Sequence, residues 1–143
     1  MGGSCLTLHT QDELRNLLET ARTVAVVGHS DKPFRTSYRI ASYLREVGYE
    51  VYPVNPALTE IDGQKVYPDL ASVPVPIDIV DVFRRSEHLD DIVKEAIQVG
   101  AKAVWAQVGV EDAQAAATAE AAKLPMVMDR CIMVDHRSLL GDK

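Results

Sequence analysis

Short apolar runs and amphipathic stripes alternate along this chain. Thr10-Gln11-Asp12-Glu13 reads as a helix-starting capping box, and Leu14, Leu17, Leu18 and Ala21 follow at helical spacing. Residues 23–28, Thr-Val-Ala-Val-Val-Gly, predict a strand whose unbroken apolar content implies cover on both faces. A helix is predicted from about Thr36 to Val47, with Ile40, Tyr43, Leu44 and Val47 on one stripe and Gly48 after its end. Glu50 to Val54 predicts a second strand, ended at Asn55-Pro56 because proline cannot continue a ladder. Residues 57–76 are the least regular. There Asp62-Gly63 marks a turn, Lys65-Val66-Tyr67 a short strand, and Leu70 with Val73 one helical turn. Residues 77–83 predict a strand, and Ser86 reads as the cap of a helix carrying Leu89, Ile92, Val93, Ala96 and Ile97 up to Gly100. A strand at 103–106, an alanine-rich helix from Glu111 to Ala122, a strand at 126–128 and a closing helical turn from His136 to Leu140 complete the pattern.

Strand and helix alternating in this way predict an α/β fold with a mostly parallel sheet. No linker or repeat interrupts it, so residues 1–143 read as one domain with residues 1–9 frayed. The net charge of −6 argues against nucleic acid as a partner, because that binding rests on cationic surface. No apolar run reaches the roughly 18–20 residues of a membrane span. Two cysteines, Cys5 and Cys131, make no disulfide framework, and the expected location is cytoplasmic. The four histidines show no metal-ligand spacing.

In a doubly wound sheet, ligands sit at the carboxyl ends of the strands, where the strand order reverses. That point lies between the first strand and the strand at 77–83. The segments to inspect are therefore Gly28-His29-Ser30, Val54-Asn55-Pro56, Phe83-Arg84-Arg85 and Gln107-Val108-Gly109. Gly28 lets the backbone approach a ligand. Ser30, Thr36 and Ser37 offer hydroxyls, and Lys32, Arg35, Arg84 and Arg85 offer positive charge to phosphates. An NAD fingerprint needs three glycines and an acidic residue about 20 residues later. Here the first strand ends in one glycine and the second in Asn55-Pro56. A Walker A loop is also absent.

These segments resemble the small CoA-binding proteins related to the nucleotide-binding domain of the succinyl-CoA synthetase alpha subunit. The resemblance runs through Val27-Gly28-His29-Ser30, the stretch from Gly48 to Pro56, Asp81-Val82-Phe83-Arg84, the stretch from Val104 to Gly109, and Met128-Asp129-Arg130-Cys131. It implies a Rossmann-like doubly wound domain with five or six strands, helices on both faces, and coenzyme A along the strand ends. Gly28, Ser30 and the loop through Lys32, Arg35, Thr36 and Ser37 would meet the phosphates. Asn55-Pro56, with Lys32, would border the nucleotide. Phe83, Arg84 and Arg85 would flank the ligand, and Gln107 would lie towards the pantetheine arm. His29 stands where the family usually has a small residue. The synthetase also needs a phosphohistidine domain and a partner subunit, so the resemblance implies binding of CoA or an acyl-CoA without acyl-CoA synthesis.

Three functions follow from this. The first is a non-catalytic carrier, sensor or subunit. The second is an enzyme acting on an acyl-CoA thioester, for which His29 and Cys131 are the candidate base and nucleophile. The third is an NAD- or nucleotide-responsive interaction protein. Self-association or a protein partner is left open by the exposed sheet edges. Cys131 also carries a narrower expectation, a mixed disulfide with the CoA thiol. Intact mass after exposure to oxidised CoA tests it, and no adduct, or one unchanged by Cys131→Ala, would end it. Asp78 and Asp81 are expected to pair with backbone or arginine, Asp129 with Arg130, and Trp105 and Tyr38 to be core or rim aromatics.

Overall fold

A computed structural model describes residues 10–140; residues 1–9, read above as frayed, and 141–143 lie outside the described residues. Five parallel strands form the central sheet: β1 (Thr23–Val27), β2 (Glu50–Val54), β5 (Ile79–Val82), β6 (Val104–Ala106) and β7 (Met126–Val127). Their order is β2-β1-β5-β6-β7, so the reversal falls between β1 and β5. A two-stranded antiparallel hairpin, β3 (Glu60–Ile61) and β4 (Gln64–Lys65), stands apart. The short strand expected at 65–67 is divided between β4 and a single bridge, Tyr67 to Val54, on the outer edge of β2.

The period of two along each strand sorts side chains between two helical layers. Val24 and Val26 of β1, Ile79 of β5, Trp105 of β6 and Val127 of β7 face α1 (Gln11–Thr20), α2 (Thr36–Glu46) and α5 (Ile132–Leu139). There they meet Leu14, Leu18, Ile40, Leu44 and Ile132. Ala25, Val27, Val80, Val82 and Ala106 face the other way, onto α3 (Leu89–Val99) and α4 (Ala113–Ala121). Leu89, Val93 and Ala96 of α3 and Ala115 and Ala119 of α4 fill that side. Every residue of β1 is buried, as its apolar content predicts.

The helix starts follow local chemistry, with three departures from the expected pattern. The capping box of α1 is complete, Thr10 and Glu13 exchanging bonds of 3.2 Å. The alanine-rich helix begins two residues late, because Asp112 takes the N-cap and accepts from the Ala115 N–H at 2.8 Å. Ser86 does not cap α3. It opens a short 3-10 turn instead, and its hydroxyl bonds the Gly109 carbonyl and the Glu111 N–H. The last helix starts at Ile132 and not at His136, since the Gln107 side chain reaches across to accept from the Ile132 N–H at 3.2 Å.

The acidic residues also depart from expectation. Asp78 does bond backbone, accepting from Arg22 and Thr23 N–H groups, but its charged partner is Lys102 at 3.4 Å. Asp129 does not pair with Arg130. Asp129 turns through positive φ and accepts from the Gly109 N–H, while Arg130 forks onto Asp135 at 2.6 and 2.8 Å. Asp81 has no partner of either kind. It stands in register with Val26 and Trp105 on the α2–α5 side, fully buried, and neither carboxyl oxygen has a hydrogen-bond partner among the described residues. Burial pushes its carboxyl pKa well above the usual carboxylate range, which favours the neutral form. Trp105 is core, its indole N–H donating to the Arg130 carbonyl. Tyr38 is a rim residue donating to Asp62.

Candidate functional site

The site begins where β1 ends. Gly28 has φ 87° and donates its N–H to the Val54 carbonyl at 2.8 Å, fastening the turn to β2. A Cβ on Gly28 would stand 2.8 Å from the Phe83 carbonyl oxygen, so the ends of β1 and β5 approach too closely for a side chain there. The loop then folds back on itself. The Ser30 N–H donates to the Ser37 hydroxyl, the Lys32 N–H to the Ser30 hydroxyl, and the Arg35 N–H to the Lys32 carbonyl. Arg35 occupies the N-cap of α2 without a side-chain cap, and no acidic residue sits in the first turn. The first turn of α2 therefore presents uncapped N–H groups and the positive end of the helix to this loop.

Asn55 locks the second edge of the site. Its amide donates to the His29 carbonyl at 3.1 Å, and its carbonyl oxygen accepts from the Ala57 N–H at 2.9 Å. A cavity of about 490 Å³ opens between these loops, lined by Gly28, Ser30, Asp31, Lys32, Arg35, Thr36, Ser37, Asn55, Ala57, Leu58 and Phe83. Lys32 and Arg35 are exposed on it, Lys32 beside Asp31 and Arg35 over the Phe34 ring.

A second cavity of about 480 Å³ adjoins the first through Thr36 and Phe83, and Ile40, Arg84, Arg85, Gln107, Val108, Gly109, Val110 and Cys131 complete its wall. Arg84 is half-buried, with no ion pair or hydrogen bond among the described residues. Arg85 is exposed and lies 3.9 Å from Glu87. Gln107 spends its oxygen on α5 and leaves its amide N–H groups for the cavity. The two cavities form one trough along the strand ends, polar and cationic at the β1–α2 loop, more apolar towards Cys131.

Eleven of the fourteen residues singled out from sequence line this trough: Gly28, Ser30, Lys32, Arg35, Thr36, Ser37, Asn55, Phe83, Arg84, Arg85 and Gln107. His29, Val54 and Pro56 do not. The Val54 side chain is buried and contributes only its carbonyl, and Pro56 is exposed while Ala57 and Leu58 face the cavity. His29 is buried beneath the loop, with Nδ1 2.9 Å from the Ser30 carbonyl and Nε2 3.3 Å from the Arg45 guanidinium. These partners assign the proton to Nδ1. Burial, with Arg45 adding to it, holds the His29 pKa below the usual imidazole value against the pull of the Ser30 carbonyl. A neutral ring aimed away from the trough ties the loop to Arg45, and Arg45 in turn bonds Gln64 of the hairpin at 2.8 Å.

Sequence reasoning missed Ala57, Leu58, Ile40 and Val110 as lining residues. Ile40 was legible only as core, since a helix residue at the edge of an apolar stripe can face either way. The described residues contain no cluster of three or more metal-ligating side chains.

A family profile described as a CoA binding domain covers residues 22–137. YneT, an uncharacterized protein of Bacillus subtilis (strain 168), is 39% identical over 124 residues, 87% of this chain and 92% of that protein. The alpha subunit of ADP-forming acetate–CoA ligase I from Pyrococcus furiosus is 35% identical over 89 residues, 58% of this chain but 19% of the subunit. The solved structure of a hypothetical protein from Pyrococcus horikoshii OT3 superposes with a TM-score of 0.90 at 39% identity, covering 93% of this chain and 94% of that one. The chain belongs to the CoA-binding domain family.

Proposed function

We propose that the protein binds coenzyme A or an acyl-CoA in the trough along the strand ends and acts there as a binding module, not a catalyst. The observation that carries this reading is the order of chemistry along the trough. Uncapped helix N–H groups, hydroxyls and cations at the β1–α2 loop suit phosphates. The apolar wall of Ile40, Val108 and Val110 suits the pantetheine arm. The Gln107 amide supplies a donor for one of its carbonyl groups.

Catalysis has less support. His29 is committed beneath the loop, so the trough lining holds one thiol, Cys131, one carboxylate, Asp31, which is already beside Lys32, and no histidine to activate the Ser30, Thr36 and Ser37 hydroxyls. The acetate–CoA ligase subunit matches over a fifth of its length, and its activity is a property of that whole protein.

Arg84 tests the reading. It is half-buried and unpaired, so its truncation leaves no orphaned partner in the protein. Arg84→Ala is expected to weaken CoA binding about tenfold, the loss of one charge-assisted contact, with an unchanged melting temperature. Equal affinity in calorimetric titration would remove Arg84 from the site. Turnover of an acyl-CoA that disappears in Cys131→Ala would replace the binding reading with the enzymatic one.

A further inference from the structure

A third cavity, of about 470 Å³, continues from the trough. It runs between α2 and α5 and shares Thr36, Ile40 and Cys131 with the second cavity. We propose that this groove takes the acyl group of an acyl-CoA whose chain ends in a carboxylate. The proposal rests on the CoA reading of the trough.

Three observations carry it. The first is continuity. Cys131 and Thr36 stand at the N-terminal ends of α5 and α2, where the trough ends and the groove begins. A chain leaving the trough there enters between the two helices. The second is lining. Ile40 and Met133 give the near part an apolar floor, suited to methylene groups.

The third is charge. Arg39 of α2 and Arg137 of α5 both line the groove, and neither has a carboxylate partner among the described residues. Arg137 is positioned by the Tyr43 ring, its guanidinium 5.1 Å from the centroid. Arg137 lies six positions along the chain from Cys131, so the groove extends roughly 9 Å from its entrance to that cation. One carboxylate, Glu46, also lines it, one turn beyond Tyr43, without an ion pair to either arginine. Two guanidinium groups against one carboxylate leave the groove a net attraction for an anionic chain end.

The test compares three ligands by calorimetric titration: CoA, hexanoyl-CoA, and adipyl-CoA, which has the same carbon count and a terminal carboxylate. Hexanoyl-CoA is expected to bind more tightly than CoA, through the apolar floor. Adipyl-CoA is expected to exceed hexanoyl-CoA by about fivefold, because both arginines are exposed and their contacts are screened. In the double variant Arg39→Gln, Arg137→Gln that preference should vanish while affinity for CoA is unchanged. Glu46→Gln should widen it. No preference for adipyl-CoA in the wild-type protein, or a preference that survives in the double variant, would overturn the proposal and leave the CoA reading standing. Absence of binding by CoA and both thioesters would overturn the CoA reading and this proposal with it.

Discussion

Gly28→Ala is expected to destabilise the protein by roughly 2–4 kcal/mol and to weaken CoA binding more than tenfold. Two costs add at this position. The backbone has φ 87°, where an L side chain is strained by about 1–2 kcal/mol. The new Cβ would also lie 2.8 Å from the Phe83 carbonyl oxygen and 3.1 Å from the Arg84 Cδ. The carbonyl belongs to the chain as it leaves β5 and cannot swing away like a side-chain tip, so β1 and β5 must separate where the trough crosses them. Gly63→Ala is the control. Gly63 has φ 84° in the two-residue turn between β3 and β4, but nothing lies within 4 Å of its added Cβ. It should show the strain alone, about 1–2 kcal/mol, with CoA affinity intact. Urea unfolding of both variants separates the terms, and equal losses would refute the close-approach account of Gly28.

Asp81→Asn is expected to stabilise the protein increasingly as pH rises. The buried carboxyl has its pKa raised in the folded state by loss of hydration. In the unfolded chain it titrates near the ordinary value of about 3.9. Below that value both states hold the proton and Asp81 adds no pH dependence. Above it the unfolded chain releases the proton while the folded protein keeps it, so wild-type stability is lost as pH rises towards the folded pKa. The asparagine variant has no proton to lose. Its advantage over wild type should be small near pH 4 and grow with pH, by about 1.4 kcal/mol for each pH unit between the unfolded and the folded pKa. The difference between the two proteins isolates Asp81 from groups such as Asp78, whose pKa is lowered by its backbone hydrogen bonds and Lys102 despite its own desolvation. A difference independent of pH would mean that Asp81 is ionised in the folded protein.

The architecture was legible wherever the signal was local. A short β-branched run such as Val24 to Val27, closed by Gly28, reads as a buried strand, and a stripe such as Leu89, Ile92, Val93 and Ala96 as one face of a helix. Some of what failed was local, such as the start of α4, which Asp112 sets by capping Ala115; other misses turned on residues outside the local pattern. The start of α5 was hidden because Cys131-Ile132-Met133 carries no capping side chain, and the cap comes from Gln107, 25 residues earlier. Arg130 reads as a partner for its neighbour Asp129, but the positive φ of Asp129 turns the two apart, and one helical turn brings Asp135 round instead. Asp81 sits in an apolar run with nothing local to mark it as unpaired.

The candidate site was legible as a set of strand ends, because a parallel sheet places them all on one edge. It was not legible side chain by side chain. His29 follows Gly28 and precedes a serine that faces the trough, so it reads as ligand-facing. The turn at Gly28 sends its ring inward, to Arg45, and that fold-back is set by contacts with α2 and the hairpin.

The measurement that tests the central claim most directly is calorimetric titration of the purified protein with CoA, with dephospho-CoA, ADP and NAD run in parallel. The trough predicts saturable binding of CoA at one site per chain, weaker binding of dephospho-CoA and of ADP, and weaker binding of NAD, for whose ribose the carboxyl end of β2, Val54-Asn55-Pro56, supplies no acidic residue. No binding of CoA at millimolar concentration, or tighter binding of NAD than of CoA, would contradict it.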